Sequence, residues 1–249
     1  MHKKSEYIYG VHAVTEALKM RPDIVLGIFH EPDKHPHLIA IAQKHRIPVQ
    51  VFSARTIPGN IPIVAPHQGI VAAVDISRLM VSYKTFMEEL VPNPHMAVAI
   101  LGEIQDPHNV GAIIRSAAGF GLSGVFVPPH RQASVTATVM KVSAGMALRI
   151  PVVEISNVNT TINDLKRKGF WIYGLAGEGA TDIRTERFDR PSAFVIGNEG
   201  DGLREKTRQA CDTLLRIPLH PQTESLNASV AAALTFYAWN GDHPEALIP

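Results

Sequence analysis

Cysteine is almost missing from this 249-residue chain. Cys211 is the single one, so no disulfide can form within one copy, and the sequence suits a reducing compartment. Charge of one sign is lacking too. Twenty-four Lys and Arg face 23 Asp and Glu, a formal net charge of +1 that by itself makes no case for a polyanionic partner. Residues 1–80 hold nine Lys/Arg against six Asp/Glu, an excess that a solvated surface explains equally well. No apolar run approaches the ~20 residues needed to cross a bilayer. The stretch "MHKKSEYIYGVHAV" lacks the apolar core of a secretion signal. The expectation is a cytoplasmic protein with no membrane partner.

Two phosphate-binding signatures are also missing. The first strand–helix turn of the long alternating region reads "DPHNVG" (106–111) rather than G-x-G-x-x-G, which disfavours a nicotinamide dehydrogenase. The glycine-rich loop comes much later, as "GNEGDGL" (197–203), with no Lys-Ser or Lys-Thr after it. Glu199 and Asp201 stand between its glycines, and two carboxylates would repel a phosphate.

What is present is a chain 45% hydrophobic and 19% charged, enough apolar residues for a real core. Residues 1–76 read as a compact α/β unit, with helix "GVHAVTEALKM", strand "DIVLGIFH", helix "HPHLIAIAQKHR" and strands "IPVQVFS" and "QGIVAAVDI". Residues 77–95, ending in two prolines, read as a linker with room for a short helix. From residue 96 to 249 strands and helices alternate regularly, including a helix over "TATVMKVSAGMA" (136–147). Near-continuous apolar strands between helices predict a mostly parallel sheet covered on both faces.

Ligands of such sheets gather at the carboxyl ends of the strands. The loops to watch are therefore 106–115, 174–179, 197–202 and 217–229. In the first, Asn109 is a suitable N-cap, Val110, Ile113, Ile114 and Ala117 form a buried stripe, and Arg115 sits off that stripe beside Ala112, Ser116 and Gly119. In the last, Ser225 can cap the final helix with Asn227 in its first turn. Taken singly, each has an ordinary reading as a solvated helix arginine or a cap. Three histidines, His30, His35 and His37, lie in a Pro-containing loop without a partner cluster, so no metal is expected. Cys211 reads as structural, and "DLKRKG" (164–169) as a solvated helix end.

Taken together, "NxGxxxR" (109–115), "GNEGDGL" (197–203) and "IPL…SLNAS" (217–229) closely resemble the three ordered motifs of SpoU-type RNA 2′-O-ribose methyltransferases of the SPOUT class. "YIYGVHAVTEAL" and "HQGIVAAV" are similar to the substrate-binding domain of the branch that methylates a guanosine in 23S ribosomal RNA. The resemblance implies an α/β fold with a SPOUT-type parallel sheet and a C-terminal trefoil knot, plus a small N-terminal α/β RNA-binding domain like ribosomal and kink-turn proteins. It implies S-adenosylmethionine as cofactor, 23S rRNA as partner and a homodimer. Cofactor-binding positions carry over to Leu175, Ala176, Gly177, Gly197, Asn198, Glu199, Gly200, Ile217, Pro218, Leu219, Ser225, Leu226 and Asn227. Catalytic positions carry over to Arg115, Asn109, Glu199, Ser225 and Asn227. Departures lie at "HPQTE" (220–224), more polar than the ribosomal branch leads one to expect, and at "EIQDP" (103–107). The same chemistry on tRNA, or a catalytically silent RNA-binding protein, remain the alternative readings.

Overall fold

The computed structural model describes residues 5–53, 57–59, 61, 65–178, 181–198 and 200–248. The chain divides into two compact units, residues 1–80 with 135–149, and residues 81–134 with 150–249. In chain order the first unit contributes β1 (Ser5–Tyr9), α1 (Val11–Met20), β2 (Val25–His30), α2 (Pro36–Lys44), β3 (Val49–Val51) and β4 (Ile70–Asp75). Its sheet has the order β1-β4-β2-β3, with β4 antiparallel to both neighbours and β2 parallel to β3. Every residue of β4 is buried, which explains why "IVAAV" runs apolar without alternation. On α1, Val14, Ala17 and Leu18 recur at helical spacing and are wholly buried.

The second unit contains β5 (Val81–Ser82), α3 (Tyr83–Glu89), β6 (Ala97–Leu101), α4 (Pro107–Gly119) and β7 (Gly124–Val127). The chain then enters α5 (Ala137–Val142), which groups with the first unit. The expected single helix over 136–147 stops there. Ala144 (φ 51) and Gly145 (φ 80) turn the chain left-handed, and a 3-10 turn, Met146–Leu148, follows. The polar contacts of this segment run to β1 and α1. Glu6 accepts from the Ala137 amide at 2.6 Å, Lys141 Nζ reaches the Tyr9 hydroxyl at 2.9 Å, and the buried Glu16 carboxylate accepts from Arg149 Nε at 2.5 Å. Strand–helix alternation in the sequence carries no sign of this grouping.

The second unit continues with β8 (Val152–Glu154), α6 (Val158–Arg167), β9 (Trp171–Leu175), β10 (Thr181–Asp182), β11 (Ser192–Ile196), α7 (Glu205–Ala210), β12 (Thr213–Arg216) and α8 (Ala228–Asp242). Its eight strands lie in the order β10-β12-β9-β11-β6-β7-β8-β5, all parallel, as the apolar strands predicted. Successive side chains leave a strand on opposite faces. Val98, Ile100, Ile172, Ala193 and Val195 accordingly pack with Phe86 of α3 and Ile162 and Leu165 of α6. On the other face Phe194 stacks on Tyr173 with centroids 5.6 Å apart and meets Phe236 of α8 at 5.9 Å. Burying a ring such as Phe236 completely is worth roughly 2–3 kcal/mol. The helix α4 packs beside α8, and its stripe Val110, Ile113, Ile114 and Ala117 is wholly buried. At its end Gly121 (φ 80) lets the Ala246 carbonyl approach: a Cβ there would lie 2.2 Å from that oxygen. Burial raises the thiol of Cys211 to about 12, in keeping with a structural role.

Candidate functional site

The strand order places β12, β9, β11 and β6 side by side. Because all are parallel, the loops that follow them leave the sheet at one edge, although their sequence positions run from 102 to 227. Each loop is shaped by its own residues. After β6, Asp106 and not Asn109 caps α4: its Oδ1 accepts from the His108 amide at 2.8 Å, with Pro107 in the first helical turn. Asn109 lies inside the first turn, buried. Glu103 pairs with Arg204 at 2.8 Å. The two acids of "EIQDP" thus have separate structural partners.

After β11 the chain doubles back. Asn198 N donates to Gly202 O at 3.1 Å, while the Asn198 Oδ1 accepts from the amides of Gly200 (2.8 Å) and Asp201 (2.7 Å). A Cβ on Gly197 would sit 2.3 Å from the Gly202 carbonyl carbon, so the turn closes only around glycine. Gly197 thus serves close backbone packing, while Gly202, at φ 66, supplies a left-handed turn position. Glu199 lies outside the described residues. After β9, Ala176 N donates to Leu215 O at 3.0 Å and extends the ladder by one residue.

After β12, residues 217–226 lead to α8, whose N-cap is Asn227 and not Ser225. The Asn227 Oδ1 accepts from the Ser229 amide at 2.8 Å and the Val230 amide at 3.3 Å. Its Nδ2 donates to Asn109 Oδ1 at 2.9 Å. One side chain therefore caps the last helix and ties it to the first turn of α4, joining motifs 118 residues apart.

The loops after β9, β11 and β12, with the start of α8, line a cavity of about 290 Å³. Leu175, Ala176 and Gly177 line it from β9, Gly197, Asn198 and Gly200 from β11, Ile217 and Leu219 from β12, and Ser225 and Leu226 from the approach to α8. Of the remaining sequence-predicted positions, Pro218 and Asn227 are not among the lining residues, nor are Asn109 and Arg115. Arg115 is exposed on α4, and its side chain has no ion pair or hydrogen bond among the described residues. Motif reading missed Glu178, Arg208, Leu215, Ala228 and Ala231, all of which line the cavity. Glu178 and Ala228 fall inside the loops 174–179 and 217–229 already singled out, whereas Arg208, Leu215 and Ala231 reach the cavity only through tertiary packing. A second cavity of about 180 Å³ opens on the same edge, and Asn198, Gly202 and Leu203 line both, so the glycine turn is the partition between them.

The ionisable lining of the larger cavity is Glu178, Asp201 and Glu224 against Arg208. Arg208 forms an ion pair with Glu178, whose carboxyl its hydrogen bond holds below the usual range. The cavity therefore carries excess negative charge and apolar walls from Leu175, Leu215, Ile217 and Leu226. That donor set fits a ligand with a cationic centre and an apolar base, and disfavours a polyphosphate.

Two family models match the chain. The SpoU rRNA Methylase family matches residues 96–237, more than half of the length, and RNA 2′-O ribose methyltransferase substrate binding matches residues 7–80. The chain belongs to the SpoU rRNA methylase family. Among similar proteins, a 23S rRNA (guanosine-2′-O-)-methyltransferase RlmB from Xanthomonas campestris is 38% identical over 95% of this chain and 96% of its own length. The protein of the same name from Shewanella oneidensis is 33% identical over 94% and 96%. In fold, the SpoU chain resembles an AdoMet-bound rRNA methyltransferase from Sinorhizobium meliloti, with TM-score 0.82 at 20% identity over 96% of this chain and 87% of that one.

Proposed function

We propose that this chain transfers a methyl group from S-adenosylmethionine to the 2′-hydroxyl of a guanosine ribose in 23S ribosomal RNA. The observation that carries the reading is the acid-bearing, apolar-walled cavity made by the loops after β9, β11 and β12, the last two carrying family-like motifs, in a chain akin over nearly its whole length to guanosine-2′-O-methyltransferases of 23S rRNA. When bound, S-adenosylmethionine supplies a methyl on a sulfonium, so the O2′–CH₃ bond forms as the S–CH₃ bond breaks, leaving a neutral thioether and releasing the hydroxyl proton. Leu175, Leu215, Ile217 and Leu226 would hold the adenine, and the carboxylates of the lining would favour the cationic end.

Arg115 is the residue assigned to the reacting oxygen. A guanidinium stays charged at any pH the protein meets. Its role is then to grip an RNA phosphate and stabilise the developing alkoxide, with Asn109 and Asn227 holding the loops and Glu199 orienting groups nearby. Residues 1–76 would select the RNA, through a fold like ribosomal and kink-turn proteins, with 77–95 as connection and 96–249 as the transferase. The trefoil knot is part of the proposal: β12 lies beyond β9, yet α8 starts against α4, so residues 217–227 travel across the ends of β9 and β11. A homodimer is supported by Val230, Leu234 and Tyr237, exposed at 46%, 43% and 67% along one side of the otherwise apolar α8. A cytoplasmic setting follows from the substrate.

The test is transfer of labelled methyl from S-adenosylmethionine to unmodified 23S rRNA and, in parallel, to unmodified tRNA, with product scored for alkali-resistant 2′-O-methyl linkages. Label in 23S rRNA that vanishes with Arg115→Ala supports the reading. Label in tRNA alone overturns the RNA assignment, and cofactor binding with no transfer to either RNA overturns both substrates.

A further inference from the structure

The amino-terminal end of the large sheet, opposite the loop edge, holds a second constellation that the motifs did not reveal. His95 lies two residues before β6, His243 is the C-cap of α8, and Glu245 lies in the 3-10 turn Pro244–Leu247 beyond it. Three ligand-type atoms converge: His95 Nδ1 is 3.1 Å from His243 Nδ1 and 2.5 Å from Glu245 Oε1, and His243 Nδ1 is 3.4 Å from the same oxygen. The ring of His243 is 4% exposed, and its Nε2 lies 2.6 Å from the Phe188 carbonyl. A carbonyl can only accept, so Nε2 carries the proton and the Nδ1 lone pair faces the other two groups. An imidazole whose far nitrogen donates to a backbone carbonyl is the arrangement that orients metal-binding histidines.

We propose that His95, His243 and Glu245 form a structural site for a divalent transition-metal ion of the Zn²⁺ class. Two imidazole nitrogens and one carboxylate oxygen suit a borderline cation, with water as fourth ligand. Ligands about 2.0–2.2 Å from a tetrahedral ion stand roughly 3.3–3.5 Å apart. Two of the three separations are already close to this. The third opens by movement of His95 and Glu245, whose side chains are 57% and 42% exposed and free to adjust. Through the Phe188 carbonyl, the ion would clip together the entry to β6, the approach to β11 and the exit from α8. Lying at the opposite end of the strands from the cavity, it supports the fold and takes no part in transfer.

Trp239 supplies a local reporter, its ring centroid 5.0 Å from that of His243. The experiment uses the full chain carrying Trp171→Phe, stripped with chelator, so that Trp239 is the sole tryptophan. One equivalent of Co²⁺ should quench its fluorescence saturably and give visible d–d absorption, and one equivalent of Zn²⁺ should displace it and raise Tm. His95→Ala and Glu245→Gln, both at exposed side chains, should each weaken binding at least 10-fold while the far-ultraviolet spectrum and S-adenosylmethionine affinity stay unchanged. Absence of saturable quenching at micromolar Co²⁺, or affinities equal in wild type and both variants, would overturn the site and leave a hydrogen-bonded trio only.

Discussion

The two ends of one parallel sheet have been put to opposite uses. At the carboxyl ends, four neighbouring strands release loops held by few, specific contacts: an Asx-type turn at Asn198, a glycine that admits no Cβ, and the Asn227–Asn109 bond. At the amino ends, chain segments are drawn together by a buried histidine and by the tail packed on Gly121. A parallel sheet favours this division, because its strands present the same polarity along a whole edge, so chemistry can collect on one side and bracing on the other.

The comparison breaks most sharply at Arg115. Arg115→Ala should lower methyl transfer to 23S rRNA by about 10²–10³-fold with cofactor affinity unchanged by calorimetry, since Arg115 does not line the cavity. Arg115→Lys retaining near-normal activity would discard a specifically guanidinium role. Next in size, Gly197→Ala forces a Cβ into the Gly202 backbone; it should cost about 2–3 kcal/mol in urea unfolding and weaken cofactor binding, leaving any response to Zn²⁺ intact. Asn227→Ala removes a cap and an interloop bond for about 1 kcal/mol. A double-mutant cycle with Asn109→Ala should give a coupling of about 0.5–1 kcal/mol; additivity would mean the bond does not join the motifs. The smallest effect is on pH dependence. The Arg208 hydrogen bond holds the folded Glu178 carboxyl below its ordinary value of 4.5, so its stabilisation is present above that pH and fades as pH falls through the folded value. Urea midpoints from pH 6 to 3 should show a shallow decline that Arg208→Ala flattens. Solvent reaches this pair through the 67% exposed Glu178 and screens it, so a steep change would place the acid sensitivity elsewhere.

Much of this was legible in the chain itself. Apolar periodicity predicted the parallel strands, and the spacing from Asn109 to Arg115 and the glycines at 197–202 marked the loops that converge. The caps were not legible: Asp106 and Asn227 took the positions that Asn109 and Ser225 could equally have filled, because several residues near a helix start can accept from its free amides and geometry chooses among them. Residues 136–147 read as one helix, yet Ala144 and Gly145 turn left-handed and the segment sends its polar groups to β1 and α1. No helix pattern encodes such long-range partners.

The sequence alone determined the element types, the family motifs and the chemical character of the loops, because these depend on residues close together along the chain. Tertiary structure decided which loops share a cavity, that Arg208 and Glu178 pair inside it, and that His95 meets His243 and Glu245 across almost 150 residues. Strand order sets those neighbours, and strand order is a property of how the whole sheet closes its hydrophobic faces, not of any local run of residues.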